Sequence, residues 1–149
     1  MAADALRLGC VFPEQLAIIH HAAEVAEQLP VALAVPTASD YTPGNWLVNP
    51  SGKLAAIIDF ENMSWGTRID PFVRLKLDYF PEHPSRSAAF LQGYGADPTA
   101  QDQERFWVAC VIYAAYHAIA GAELGDPQHS RTSDRTFQLV ESKPIAQGW

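Results

Sequence analysis

A chain of 149 residues and 16.4 kDa has room for one ordinary domain, or two very small ones, and buries enough surface for a core without disulfides or metals. At 48% hydrophobic and 11% aromatic residues, wholesale disorder is excluded. Seventeen acidic against ten basic side chains leave a formal charge of -7 and a pI near 5.0, which argues against a general nucleic-acid or anionic-membrane partner, because no surplus of Lys and Arg remains to neutralise phosphates.

In chain order, Pro13 to Leu29 reads as a helix: Pro13 suits the first turn, Leu16, Ile19, Ala23 and Ala26 recur at helical spacing, and Pro30 ends it. Val31 to Val35 is β-rich and stopped by Pro36, so a strand is expected there, followed by a loop from Thr37 to Asn45. Trp46 to Val48 and Leu54 to Ile58 flank Asn49-Pro50-Ser51-Gly52-Lys53, whose turn chemistry predicts a β-hairpin. Asp59 stands at its exit, and Glu61 to Asp70 reads as loop. The remainder reads as helical: Pro71 to Tyr79, with Phe72, Leu75 and Tyr79 on one face; Ser85 to Leu91, closed by Gly93 and Gly95; then a long helix. Thr99 caps that helix, Asp102 takes the capping-box position, and Gly125 with Pro127 stops it. Phe106, Cys110, Tyr113, His117 and Ala120 form its expected core stripe, and a last helix spans Ser133 to Val140. A hairpin followed by helices predicts an α+β fold, one domain over residues 1–149, rather than a doubly wound α/β sheet.

The cysteines, Cys10 and Cys110, have neither metal-ligand spacing nor a disulfide pattern. No signal sequence is read at the start, and the stretch Phe106 to Leu124 is too polar at its flanks and too Ala-rich to read as a membrane span, so a cytoplasmic setting is expected.

Three polar residues stand out by position. Asp40 and Asn45 lie in the loop after the first strand, and Asp59 follows the hairpin, so all three return to one end of a small sheet. Two carboxylates and a carboxamide there form a hard, oxygen-only set suited to Mg²⁺ and its phosphate ligands. Turn formation alone also accounts for Asp and Asn in loops, and residue types by themselves leave both readings open.

The stretch Ser39-Asp40-Tyr41-Thr42-Pro43-Gly44-Asn45-Trp46-Leu47-Val48, followed by Leu54-Ala55-Ala56-Ile57-Ile58-Asp59-Phe60-Glu61, resembles the aminoglycoside phosphotransferase family, relatives of choline and protein kinases. The family pattern is a His-x-Asp-x-x-x-x-Asn loop, a hairpin, and an Asp-Phe-Gly-like triplet. The resemblance implies a mainly helical, kinase-like carboxy-terminal lobe that moves the γ-phosphate of ATP or GTP to a hydroxyl of a small molecule. Asp40 matches the catalytic Asp, and Asn45 and Asp59 match the residues that hold Mg²⁺ and the nucleotide. Asp70 falls where the family carries an Asp that braces the loop, with helix capping before Pro71 as its other reading. Glu61, Glu104, Trp107 and Tyr113 are candidate acceptor contacts, and acidic groups there favour a cationic acceptor. The chain departs from the pattern at Ala38, where His is usual, and at Ser39, where Gly is usual. About 39 residues precede Asp40 and no Gly-rich phosphate loop is present, so the nucleotide-covering lobe is expected to be missing from this chain. Supply of that lobe by another polypeptide, or self-association through the surface left bare, is the corresponding expectation. A non-catalytic binding domain derived from the same lobe is the alternative.

Overall fold

Caps and breakers punctuate the chain into short elements. A computed structural model describes residues 1–38, 40–61, 63–81, 83–95 and 98–141. In order these form α1 (Ala2–Leu8), α2 (Pro13–Gln28), β1 (Val35–Ala38), a 3-10 turn (Pro43–Asn45), β2 (Trp46–Val48), β3 (Leu54–Ile57) and β4 (Met63–Gly66). Then come α3 (Asp70–Arg74), which runs straight into a π-helical turn (Leu75–Tyr79), α4 (Pro84–Tyr94), α5 (Ala100–Leu124) and α6 (Pro127–Glu141). The fold is mixed and predominantly helical. Its backbone divides into two compact units, residues 1–30 with those from 94 onward, and residues 31–93.

The first unit is helix on helix. At the start of α5, Thr99 Oγ1 accepts from the Asp102 amide at 3.1 Å, while the Thr99 amide donates to Asp102 Oδ2 at 2.9 Å. The shorter Asp side chain therefore completes the capping box. Gly125 closes the helix at φ 65°, a left-handed conformation that favours glycine. Phe106, Cys110 and Ala120 of the expected stripe are buried, and so are Val108, Val111, Ala114, Ala115 and Ala118. The buried face is wider than one stripe because α6, α2 and α1 all pack on α5. By length and composition α5 is apolar enough to cross a membrane, yet its place is that of the central core helix of this unit. Pro127 opens α6 rather than merely ending α5, with the Gln128 amide donating to Asp126 Oδ1 at 2.8 Å. The last helix is accordingly longer than the expected 133–140. α6 comes so close to α5 that a Cβ on Gly121 would lie 2.6 Å from Ser130 Oγ. His117 is hydrogen-bonded, its Nδ1 lying 2.7 Å from Nδ1 of His129.

The second unit holds two separate two-stranded antiparallel sheets, β1 with β4 and β2 with β3. The hairpin turn is held by Asn49, whose Oδ1 accepts from the Ser51 and Lys53 amides, and Gly52 takes φ 78°. Three expectations are corrected here. The strand expected at 31–35 forms at Val35–Ala38, with Pro36 inside it opposite Trp65; a two-stranded ribbon has an open edge, where a missing N–H is tolerated. The loop expected at 61–70 contains β4, because Thr37 and Ser64 meet across 27 residues of sequence, and no local periodicity reports such a pairing. The single helix expected at 71–79 is instead a short α-helix and a π-helical turn. Buried apolar residues of this unit, among those described, run from Ile69 to Phe80: Ile69, Phe72, Val73, Leu75, Leu77 and Phe80.

Candidate active site

Asp40 begins the turn after β1, and the turn folds back on itself through its own backbone. The Thr42 amide donates to the Asp40 carbonyl at 2.8 Å, and the Asn45 amide donates to the Thr42 carbonyl at 2.9 Å. Pro43 starts the 3-10 turn that swings Asn45 under Asp40. There Asn45 Nδ2 donates to the Asp40 carbonyl oxygen at 2.9 Å and to Asp40 Oδ2 at 3.1 Å. With its nitrogen committed, the Asn45 side chain keeps Oδ1 as an acceptor.

β2 and β3 then carry the chain out and back. Trp46 pairs with Ile57, and the Ile58 amide donates to the Asn45 carbonyl at 3.0 Å, one step past the ladder. Asp59 follows immediately, at φ 65°. It is the one non-glycine residue in the left-handed region among the described residues, a conformation Asp tolerates better than most side chains. That turn ends the hairpin next to the Asn45 backbone. Among the described residues no hydrogen bond or ion pair engages the Asp59 side chain, and Glu61 is exposed just beyond it.

Arg74, at the end of α3, completes the surroundings of Asp40. Its Nη1 donates to Asp40 Oδ1, while Nε lies 3.7 Å from Asp78 Oδ2. Asp40 thus receives Asn45 on one oxygen and a guanidinium on the other. A carboxylate offers about four lone-pair positions, so these two donors leave room for a hydroxyl. The loop is also seated on aromatic rings. Tyr41 and Trp46 lie 5.4 Å apart, and Phe90 meets Tyr41, Trp46, Phe72 and Phe80 at centroid distances of 5.5–6.3 Å. Trp46 Nε1 is buried without a partner, so Trp46 serves here through its ring.

Asp70 does not reach this loop. Its Oδ2 accepts from the Thr67 amide at 2.7 Å and its Oδ1 accepts from Thr67 Oγ1 at 2.8 Å, so its hydrogen bonds fasten the turn before α3. It also sits above Gly66, where a Cβ would lie 2.4 Å from Asp70 Oδ2 and 3.0 Å from Thr37 Oγ1.

Glu104, Trp107 and Tyr113 lie on α5, in the other unit. Glu104 and Trp107 line an open groove of about 830 Å³ with Ile18, His21, Val25 and Val140. Trp107 Nε1 donates to the Val140 carbonyl at 3.4 Å, and Tyr113 rests against His117 at 4.3 Å between ring centroids.

Sequence reading anticipated Asp40 with Asn45, but not the ion pair of Arg74 nor the seat of Tyr41, Trp46 and Phe90. The i,i+4 spacing of Arg74 and Asp78 is a local sign of a helix-face pair. Nothing local signals the partnership of Arg74 with Asp40, 34 residues away.

A divalent metal is implied by the resemblance, and the donor set fits it. Asn45 Oδ1 and the Asp59 carboxylate are hard oxygen donors on adjoining backbone segments, and Mg²⁺ characteristically takes one or two protein ligands with phosphate oxygens and waters as the rest. No cluster of three or more His, Cys, Asp or Glu side chains suited to an all-protein metal cage occurs among the described residues. No curated protein and no solved structure matches the chain. Residues 4–107, which include the whole of this loop and hairpin, match the phosphotransferase enzyme family. The chain belongs to the phosphotransferase enzyme family.

Proposed function

We propose that residues 1–149 form the carboxy-terminal, catalytic-loop lobe of a cytoplasmic small-molecule kinase, which moves the γ-phosphate of ATP or GTP to a hydroxyl of a small, cationic acceptor such as an amino alcohol or aminoglycoside. The observation that carries this reading is the double hydrogen bond from Asn45 to Asp40, with the Ile58 amide on the Asn45 carbonyl. Together they join the two motifs of the family at one end of the hairpin.

In this mechanism Asp40 accepts a hydrogen bond from the acceptor hydroxyl and takes its proton late, as the oxygen bonds to phosphorus and the diphosphate leaves. Asn45 and Arg74 hold the carboxylate in place, one on each oxygen, which limits the misplacement that is so costly in oriented reactions. Asn45 Oδ1 and the Asp59 carboxylate are the groups that would hold Mg²⁺. The metal, when bound, supplies positive charge to offset that developing on the phosphate oxygens. Glu61 adds negative charge near the exit of the hairpin, which favours a cationic acceptor.

One observation favours the second reading, a binding domain without catalysis: Arg74 already occupies one oxygen of the Asp40 carboxylate.

Isothermal titration calorimetry of Mg²⁺–ATP into the full chain tests the proposal. Saturable heat that disappears with Asp59→Ala or with EDTA, and persists in Asp40→Asn, is the expected result. A folded chain that gives no heat at millimolar nucleotide would overturn the nucleotide site. Binding that survives, without turnover on any acceptor alcohol, would favour the second reading.

A further inference from the structure

Within the helical unit, α5 and α6 run antiparallel: Trp107 meets Val140 at one end of the pair and His117 meets His129 toward the other. Gly121 fixes how close they come. A Cβ there would lie 2.6 Å from Ser130 Oγ and 3.0 Å from the Ser130 amide nitrogen. His117 stands one turn before Gly121 on α5, and His129 stands beside Ser130 on α6. The same approach therefore brings two imidazoles together, Nδ1 to Nδ1 at 2.7 Å. Nδ1 is the ring nitrogen nearer the main chain, so such a meeting needs helices this close. Two neutral rings joined in this way share a single proton, one Nδ1–H donating to the other Nδ1. Without that proton, two lone pairs face one another across the gap.

The surroundings hold each ring in place. His117 rests against Tyr113 and Tyr116, at 4.3 Å and 5.4 Å between ring centroids. Asp126 is fastened by the Gln128 amide on its Oδ1, and its Oδ2 lies 3.9 Å from Nε2 of His129. A carboxylate on that side favours a proton on Nε2 and leaves the lone pair on Nδ1, as behind many metal-binding histidines. The His129 side chain is 26% exposed, so water reaches the pair.

We propose that His117 and His129 form a two-nitrogen site for a divalent transition metal, which staples α5 to α6 with water completing its coordination. Residue type selects the class of ion: imidazole suits copper, nickel and zinc, whereas Mg²⁺ and Ca²⁺ take oxygen. Spacing selects within the class. Metal–nitrogen bonds of about 2.0–2.1 Å place the two nitrogens about 2.9 Å apart at a right angle and about 3.3 Å apart at a tetrahedral one. The 2.7 Å separation is nearer the first, the angle of tetragonal Cu²⁺ and Ni²⁺, and Cu²⁺ also has the highest intrinsic affinity of the series. On binding, both Nδ1 lone pairs go to the metal and the proton between them goes to solvent. The site uses none of the groups assigned to phosphoryl transfer.

Titration of Cu²⁺ into the full chain, followed by calorimetry and by electron paramagnetic resonance of the bound ion, tests the proposal. One equivalent per chain is expected, with hyperfine splitting from two nitrogens and a Tm that rises with metal concentration. His117→Gln and His129→Gln each weaken binding at least about tenfold and remove the second nitrogen from the spectrum, with circular dichroism confirming the fold. His20 and His21 are exposed neighbours on α2, and replacing both by Gln leaves the first equivalent intact. A folded chain without one-to-one binding overturns the proposal. Binding indifferent to His129→Gln, or lost with the α2 pair instead, overturns it as well. Should His117→Gln fail to fold, His129→Gln and the α2 double variant still decide.

Discussion

The two units of this chain solve burial in opposite ways. In the helical unit, apolar residues from α1, α2, α5 and α6 enclose one another, from Ala5 and Ile19 through Phe106 and Val111 to Phe137 and Val140. In the unit of residues 31–93 the buried apolar residues come from the single segment Ile69 to Phe80, while the strands leave Leu47, Val48, Leu54 and Trp65 exposed. What organises the second unit is polar and aromatic: Asn45 and Arg74 on Asp40, Asp70 on Thr67, and the rings around Phe90. One unit has the economy of a core. The other sets backbone turns to hold carboxylates at the surface.

If the contrast holds, damage to each unit differs in size and kind. The largest effect is expected from Phe137→Ala, which empties a site only 1% exposed between α6 and α5. It should cost about 4 kcal/mol by urea denaturation, and a loss below about 1 kcal/mol would mean that the helical unit is not the stable part. Gly66→Ala in the strand unit comes next, at about 2 kcal/mol. Its new Cβ meets Asp70 Oδ2, and that oxygen cannot retreat without giving up the Thr67 amide. A neutral result would show that Asp70 is not fastened as described. The smallest effect concerns the Asp40–Arg74 pair. Both side chains keep a third or more of their surface in water, 34% and 42%, so a double-mutant cycle of Asp40→Asn and Arg74→Met should give a coupling of about 0.5 kcal/mol in stability. The same cycle read in turnover should give a much larger coupling if Arg74 positions the base, and the same small one if the pair is merely structural.

Local pattern carried far in the helices. Pro13, the Thr99–Asp102 box and Gly125 act through neighbours in sequence, and the structure keeps those boundaries to within a residue. It carried less far in residues 31–66, where Pro36 reads as the end of a strand that runs through it and Ser64 gives no hint of its partner. The same division runs through the candidate site. Asp40 and Asn45 were legible because five residues of turn join them, whereas Arg74 arrives from a different helix.

Sequence alone determined which chemistry-bearing residues the chain possesses, their order, and the turns that set Asp40, Asn45 and Asp59 at loop ends, because turn and cap energetics are local. Tertiary structure decided what stands next to them: the guanidinium of Arg74 on Asp40, the aromatic seat under the loop, the restriction of Asp70 to its own turn, and the pairing of β1 with β4. Those are contacts between segments 27 to 34 residues apart in the case of β4 and Arg74, and only packing in three dimensions selects such pairs from the many a sequence permits.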